Sequence, residues 1–307
     1  MTADGTRLVS GQMTTRSDLL VSSNPEKGAL KKIASGTDFS YRFCWTTDGR
    51  IVYSSKDAGS YDLYVVDADG SNRKQLTFER SSNETEPAAS PDGRYIVFVS
   101  DRTGESGLYR INPDGTGLRS LTPSPQLGHA DRDPQFTPDS QWVLYQHWDD
   151  DPTLWKIPID GGAPVLVKGA RPPVPQAARE CAYGASVSPD GRSLAFLYFI
   201  DDPKTGPSST DVVVATLDGQ VVKRFLYRAE RPGAVDGDSR VQWSRDGSSL
   251  YYNRKDLWRR PLAGGALAQV THFEEGLGYF DWSFDCKTLA CSRSSVQTDV
   301  VMITNFH

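Results

Sequence analysis

The sequence has 307 residues and a net charge of −5, with 34 Lys and Arg against 39 Asp and Glu scattered along it. The length allows a large core and fits one domain spanning residues 1–307. The charge pattern shows no basic stripe of the kind a phosphate backbone requires, so no nucleic acid is expected as partner. No apolar run approaches the roughly 20 residues of a membrane span, and the opening MTADGTRLVS lacks the apolar centre of a signal peptide.

Taken in chain order, one turn signature recurs: ADG at 3–5, TTDG at 46–49, SPDG at 90–93, TPDS at 137–140, SPDG at 188–191, SRDG at 244–247 and SFDC at 283–286. Each copy is followed by an apolar strand, such as RIVYSS, RYIVFVS, QWVLYQ or RSLAFLYF. A second strand follows, as in DLYVVDADG or GLYRINPDG, and then a third, as in RKQLT or LRSLT. A further strand precedes each turn but the first: RFCW, EPAA, DPQF, YGASV, RVQW and YFDW. A repeat of 40 to 50 residues built from four short strands is the sequence pattern of a β-propeller blade. The turn has a physical cause, since Pro fixes φ at the first corner, Asp bonds the backbone two residues on, and Gly accepts positive φ. Recurrence with the turn marks these aspartates as structural.

The segments SPDGRYIVFVSDRTG, DLYVVDADGSNRKQLT and TLWKIPIDGGAPVLV resemble the PD40, or TolB-like, β-propeller repeat, over nearly the whole chain. The blade order and the ending DWSFDCKTLACSRSSVQTDVVMITNF resemble the carboxy-terminal propeller of bacterial transmembrane serine/threonine kinases. That resemblance implies an extracytoplasmic, periplasmic setting and a sensor or interaction role, as part of or homologous to part of a larger protein. The expected fold is therefore all-β, a propeller of four-stranded antiparallel blades. Seven blades are favoured, because TRLVSG, SDLLVSS and LKKIAS read as three strands of a first blade. Six is the alternative, with LKKIAS completing the last blade while residues 1 to 25 pack elsewhere.

Alternation along the inner strands predicts which residues face the axis. Counting back from each turn, the first and third positions are apolar, whereas the second and fourth are small or polar. Arg42, Glu86, Asp133, Arg240 and Tyr279 should form a mixed-charge ring at the channel mouth, with Gln135, Gln242 and Asp281 one step deeper. The variable loops, among them FERSSNETE at 78–86 and PSPQLGHADRD at 123–133, all emerge at that same end, the usual arrangement for binding. On that face lie His129 with Arg132, and His147 with Trp148, the one tryptophan of seven expected outside a strand.

Catalytic signatures such as GxSxG, HExxH and a Walker A loop are absent from the sequence, and none of the four histidines falls on an expected channel position. None of the four cysteines, Cys44, Cys181, Cys286 and Cys291, belongs to a CxxC zinc pair. Cys286 and Cys291 are close enough to share a hairpin, which leaves an oxidised pair open. The functional expectation is a monomeric, non-catalytic propeller, without metal or cofactor, binding a protein, peptide or small molecule at its loop-rich face. The alternative is a carbohydrate-active, lyase-like enzyme with its site in the channel.

Overall fold

A computed structural model describes residues 7–27, 29–36, 39–57, 59–123, 127–149, 153–167, 179–201, 209–227, 240–273 and 276–304. Among these residues the strands form six four-stranded antiparallel sheets. Blade 1 contains Phe39–Trp45, Arg50–Ser55, Asp62–Asp67 and Lys74–Gln75. Blade 2 begins with Glu84–Ala89, blade 3 with Ala130–Phe136, blade 4 with Arg179–Val187 and blade 5 with Val241–Trp243. Blade 6 is composite, its inner strands Phe280–Trp282 and Leu289–Thr304 coming from the end of the sequence and its outer strands Arg7–Ser22 and Lys31–Gly36 from the beginning.

The expectation of seven blades is thus corrected to six. TRLVSG and SDLLVSS are not two strands of a separate blade. They belong to one 16-residue strand, Arg7–Ser22, which pairs with Leu289–Thr304 residue for residue from Arg7↔Thr304 to Ser22↔Leu289. The segment that the six-bladed alternative left to pack elsewhere is therefore the third strand of the last blade. This pairing, with Lys31–Gly36 added at Ser17 to Val21, covers edges that the two ends of the chain would otherwise leave open. Arg7–Arg16 and Ser295–Thr304 run on together past the other strands of the blade.

Each interface between neighbouring blades holds its own apolar cluster, and the period of two along each strand explains why. In blade 1, Ile51 and Tyr53 pack toward blade 6 with Leu19 and Val21, whereas Val52 packs toward blade 2 with Ile96 and Phe98. In blade 2 the next residues, Val97 and Val99, turn the other way onto Val143 and Tyr145 of blade 3. Phe196 and Tyr198 of blade 4 face blade 3, while Ala195 and Leu197 face Leu250 and Tyr252 of blade 5. Leu257 of blade 5 meets Phe280, Leu289 and Cys291 of blade 6. The second strands are consequently apolar on both faces, unlike strands of a sheet with one wet side.

The recurrent turns behave as the sequence implies. Asp92 accepts from the Ser90 hydroxyl at 2.7 Å and from the Arg94 N–H at 3.0 Å, and Asp190, Asp246 and Asp285 repeat that pair of bonds. Cys44, Cys286 and Cys291 are free thiols, with Cys286 exposed in its turn and Cys291 buried in a strand.

Candidate functional site

The inner strands run side by side around the axis, so their fourth positions before the turn meet at one level. There Arg42 of blade 1 donates to Asp133 of blade 3 and lies 3.8 Å from Glu86 of blade 2. Glu86 in turn accepts the Asp133 backbone N–H at 2.6 Å. Across the axis, Arg240 of blade 5 donates to the Tyr279 hydroxyl of blade 6 and, at 2.6 Å, to Gln135. Gln242 donates to Asp281 at 2.9 Å, and the Arg240 guanidinium lies 3.7 Å from the same carboxylate. All eight residues expected to face the channel are brought together.

Among the described residues Asp133, Arg240, Tyr279 and Asp281 are buried, and the charged groups pair with one another across the axis. Burial works against the charge of Arg42, but Asp133 and Glu86 outweigh it and raise its pKa, so the guanidinium is always charged. Burial also raises the pKa of Asp281, with the Arg240 charge pulling the other way, and raises that of the Tyr279 hydroxyl.

Strand alternation alone does not produce this convergence. Pairing slips between Thr85 and Ala88, between Arg132 and Gln135, and between Tyr183 and Ser186. At the slip sit Glu86 (φ 52°), Asp133 (φ 56°) and Gly184 (φ 60°). These are bulges, which re-aim side chains at the cost of a left-handed backbone. Gly184 adopts it freely, whereas Glu86 and Asp133 each pay about 1 kcal/mol. In return the Asp133 carboxylate reaches both Arg42 and, at 3.2 Å, the Gly184 N–H.

Below the ionic cluster, toward the recurrent turns, a cavity of about 340 Å³ opens between the blades. Arg240, Tyr279, Gln135, Gln242 and Asp281 line its base, and Trp45, Phe136, Trp243 and Trp282 line its walls. Pro91, Pro138, Pro189, Arg245, Phe284 and Cys286 of the turns frame the outer end. The cavity therefore faces away from the loop-rich end at which the mouth was expected. Sequence reading missed the framing residues, although their signal was present: proline recurs at the second turn position, and aromatics recur at the last inner-strand position.

The remaining candidates sit apart on blade 3. His147 Nδ1 lies 2.7 Å from the buried Asp131 carboxylate, and its ring packs edge-on against His129 at 5.5 Å and Trp155 at 6.0 Å. Burial raises the pKa of Asp131. Trp148 is the last residue of the strand Trp142–Trp148, opposite Ala130, and not a loop residue as expected; its indole donates to Gln146 at 3.2 Å and is 39% exposed. Arg132 reaches toward Glu86 at 3.9 Å from an exposed position. Among the described residues no group of three or more His, Cys, Asp or Glu is arranged to hold a metal ion. No helix among them is long and apolar enough to cross a membrane.

Comparison with known proteins agrees with this architecture. The family model described as the TolB beta propeller domain, PD40, matches residues 2–160. An uncharacterized protein of Agrobacterium fabrum is 30% identical over 128 residues, 41% of this chain and 42% of that protein. A protein TolB homolog of Chlorobium chlorochromatii is 33% identical over 148 residues, 48% of this chain and 31% of the relative. The match thus spans less than half the length of these curated relatives. The crystal structure of TolB from Acinetobacter baumannii superposes with a TM-score of 0.57 at 15% identity, over 94% of this chain and 66% of that one, a likeness of fold. With the family model covering more than half the sequence, the chain belongs to the TolB-like PD40 β-propeller family.

Proposed function

We propose that the chain is a binding module that engages a protein or peptide, set outside the cytoplasm as the sensor or interaction part of a larger signalling protein. One observation carries the reading: the charged groups of the channel are consumed by each other, and the open space beside them is walled by aromatics and prolines. Among the described residues Arg42, Glu86, Asp133, Arg240 and Asp281 pair with one another across the blades, so that Asp281, the carboxylate at the cavity, is already engaged by Arg240 and Gln242. A hollow with aromatic walls on a rigid scaffold is the kind of surface that anchors a partner's side chain. The names of the TolB homologs favour the extracytoplasmic setting.

A thermal-shift screen of the purified chain tests this, because a ligand of the folded state raises apparent stability by mass action. Apolar peptides should raise Tm progressively, with the logarithm of concentration above Kd, and divalent metals and oligogalacturonides should not. Turnover of a polysaccharide that Asp133→Asn or Asp281→Asn abolishes would overturn the reading in favour of an enzyme.

A further inference from the structure

We infer that the outer edge of blade 4 takes up an extended, acidic segment of a partner protein, which adds to the sheet as a fifth strand. This surface is separate from the cavity and stands independently of what binds there. The outermost strand of blade 4, Val221–Tyr227, has seven residues, whereas those of blades 1, 2, 3 and 5 have two each. Short edges offer few free backbone groups, and a long one presents a row of N–H and C=O groups on which another strand can pair. Blade 6 also ends in a longer strand, Lys31–Gly36, but there the next blade stands over it. A Cβ at Gly70, in a blade 1 turn, would lie 3.2 Å from the Ile33 carbonyl. At blade 4 the corresponding turn of blade 5 holds Gly264 and Gly265, and a Cβ at either would meet no atom of Val221–Tyr227 within 4 Å. Among the described residues no backbone bond reaches the free side of Val221–Leu226.

The strand is apolar where it is open. Val222 and Leu226 are 55% and 54% exposed, while Phe225 packs inward with Leu250 and Tyr252 of blade 5. Pairing with the third strand skips Val222, so the regular run offered to a partner starts at Lys223. Charge selects the partner. Lys223, Arg224, Arg254 and Arg260 border the strand: Lys223 donates to the Leu262 carbonyl, and Arg260 and Arg254 lie over the rings of Phe225 and Tyr227 at 5.3 and 6.0 Å. Against them stand Asp211, already bonded to Arg224, and Asp218 in the turn before the strand. The chain as a whole carries −5, so an excess of cations here runs against its general balance. A second copy fits poorly, because full antiparallel overlap of Val221–Tyr227 sets Arg224 opposite Arg224, and like charges directly opposite are destabilising. A segment with Asp or Glu among β-branched residues matches both the ladder and the charge.

The test is selection of a random dodecapeptide display library on the full chain, followed by calorimetric titration and hydrogen exchange with an enriched peptide. Enriched sequences should mix Asp or Glu with apolar residues, and amides within Val221–Leu226 should exchange at least tenfold more slowly with peptide bound. N-methylation at one of the two sets of alternate peptide residues keeps the charge but removes the ladder donors, and should weaken binding at least tenfold. Leu226→Glu and Lys223→Glu, both at exposed positions, should each weaken it at least fivefold with Tm unchanged. Undiminished binding by both methylated peptides, with no slowing of exchange, means adhesion by charge alone and overturns the inference. Peptide binding that ignores Leu226→Glu and Lys223→Glu but is lost in Phe284→Ala puts the peptide at the cavity, which overturns this inference and leaves the binding reading above standing. A dimer in analytical ultracentrifugation that Leu226→Glu dissolves makes a second copy the occupant and overturns it as well. A folded chain that enriches no peptide overturns both readings.

Discussion

Substituting Asp133 by Asn tests the network at its centre. Asn keeps the shape, tolerates the left-handed backbone at φ 56° and still accepts the Gly184 N–H, so the change removes charge and little else. What is lost is the charge-assisted bond from Arg42, which keeps Glu86 at 3.8 Å among its partners. Losing such a bond costs about 1.5–3 kcal/mol, and stranding a buried charge brings the total toward 3–5 kcal/mol. With Glu86 still in reach we expect about 2–4 kcal/mol. At about 2.1 cal/mol/K of unfolding entropy per residue, 307 residues lose roughly 1.5 °C of Tm per kcal/mol, so calorimetry should show a drop of about 3–6 °C. In a double-mutant cycle with Arg42→Met, the combined loss should fall short of the sum by about 1–3 kcal/mol. A Tm within 1 °C of the parent, or strictly additive losses, would show that the ionic cluster does not hold the blades together.

The turn aspartates set the acid limb of stability. Asp246 is held at about 2 by the Ser244 hydroxyl and the Ser248 N–H, and Asp190 and Asp285 are lowered in the same manner. Their folded pKa lies below the unfolded value near 4, so their contribution is complete above about pH 4 and fades as pH falls toward 2. Denaturation midpoints between pH 5 and 2 should therefore decline, and less steeply in Asp246→Asn. Among the thiols, a maleimide should label Cys286 in the native state and reach Cys44 and Cys291 only on unfolding, as mass spectrometry would read. Cys286 also stands at φ 56° where other copies of the turn have Gly, so Cys286→Gly should stabilise the chain by about 1 kcal/mol. Ser140, at φ 60°, should gain nothing from the same change, because its hydroxyl accepts the Asp92 N–H of the next blade at 3.1 Å. Equal gains at the two sites in thermal melts would defeat that comparison.

The blades were legible because the turn is encoded locally, in Ser or Thr, Asp and Gly at fixed offsets, and the facing of each strand follows from a period of two. Arg42, Arg240 and Tyr279 could therefore be assigned to the axis without a structure. The blade count was not legible, because SGQMTTRS between two apolar runs reads as a connection, and only its distant partner Ser294 to Val301 makes it strand. The bulges at Glu86 and Asp133 were hidden for a related reason, since Glu seldom takes positive φ and an Asp that can do so carries no sign of it inside a strand pattern. How the charges of different blades pair across the axis is a property of distances and not of pattern.

The composite sixth blade has a consequence for synthesis. A ribosome delivers Arg7–Gly36 well before their partners from Leu289 onward, which follow 253 residues later. At about 5–20 residues per second, the early strands wait roughly 10–50 s with their edges unpaired. For that interval blade 1 lacks the neighbour that covers Phe43 and Tyr53. Ring closure then awaits Leu289–Thr304, and the nascent chain is most exposed to edge-to-edge association just before it becomes least exposed.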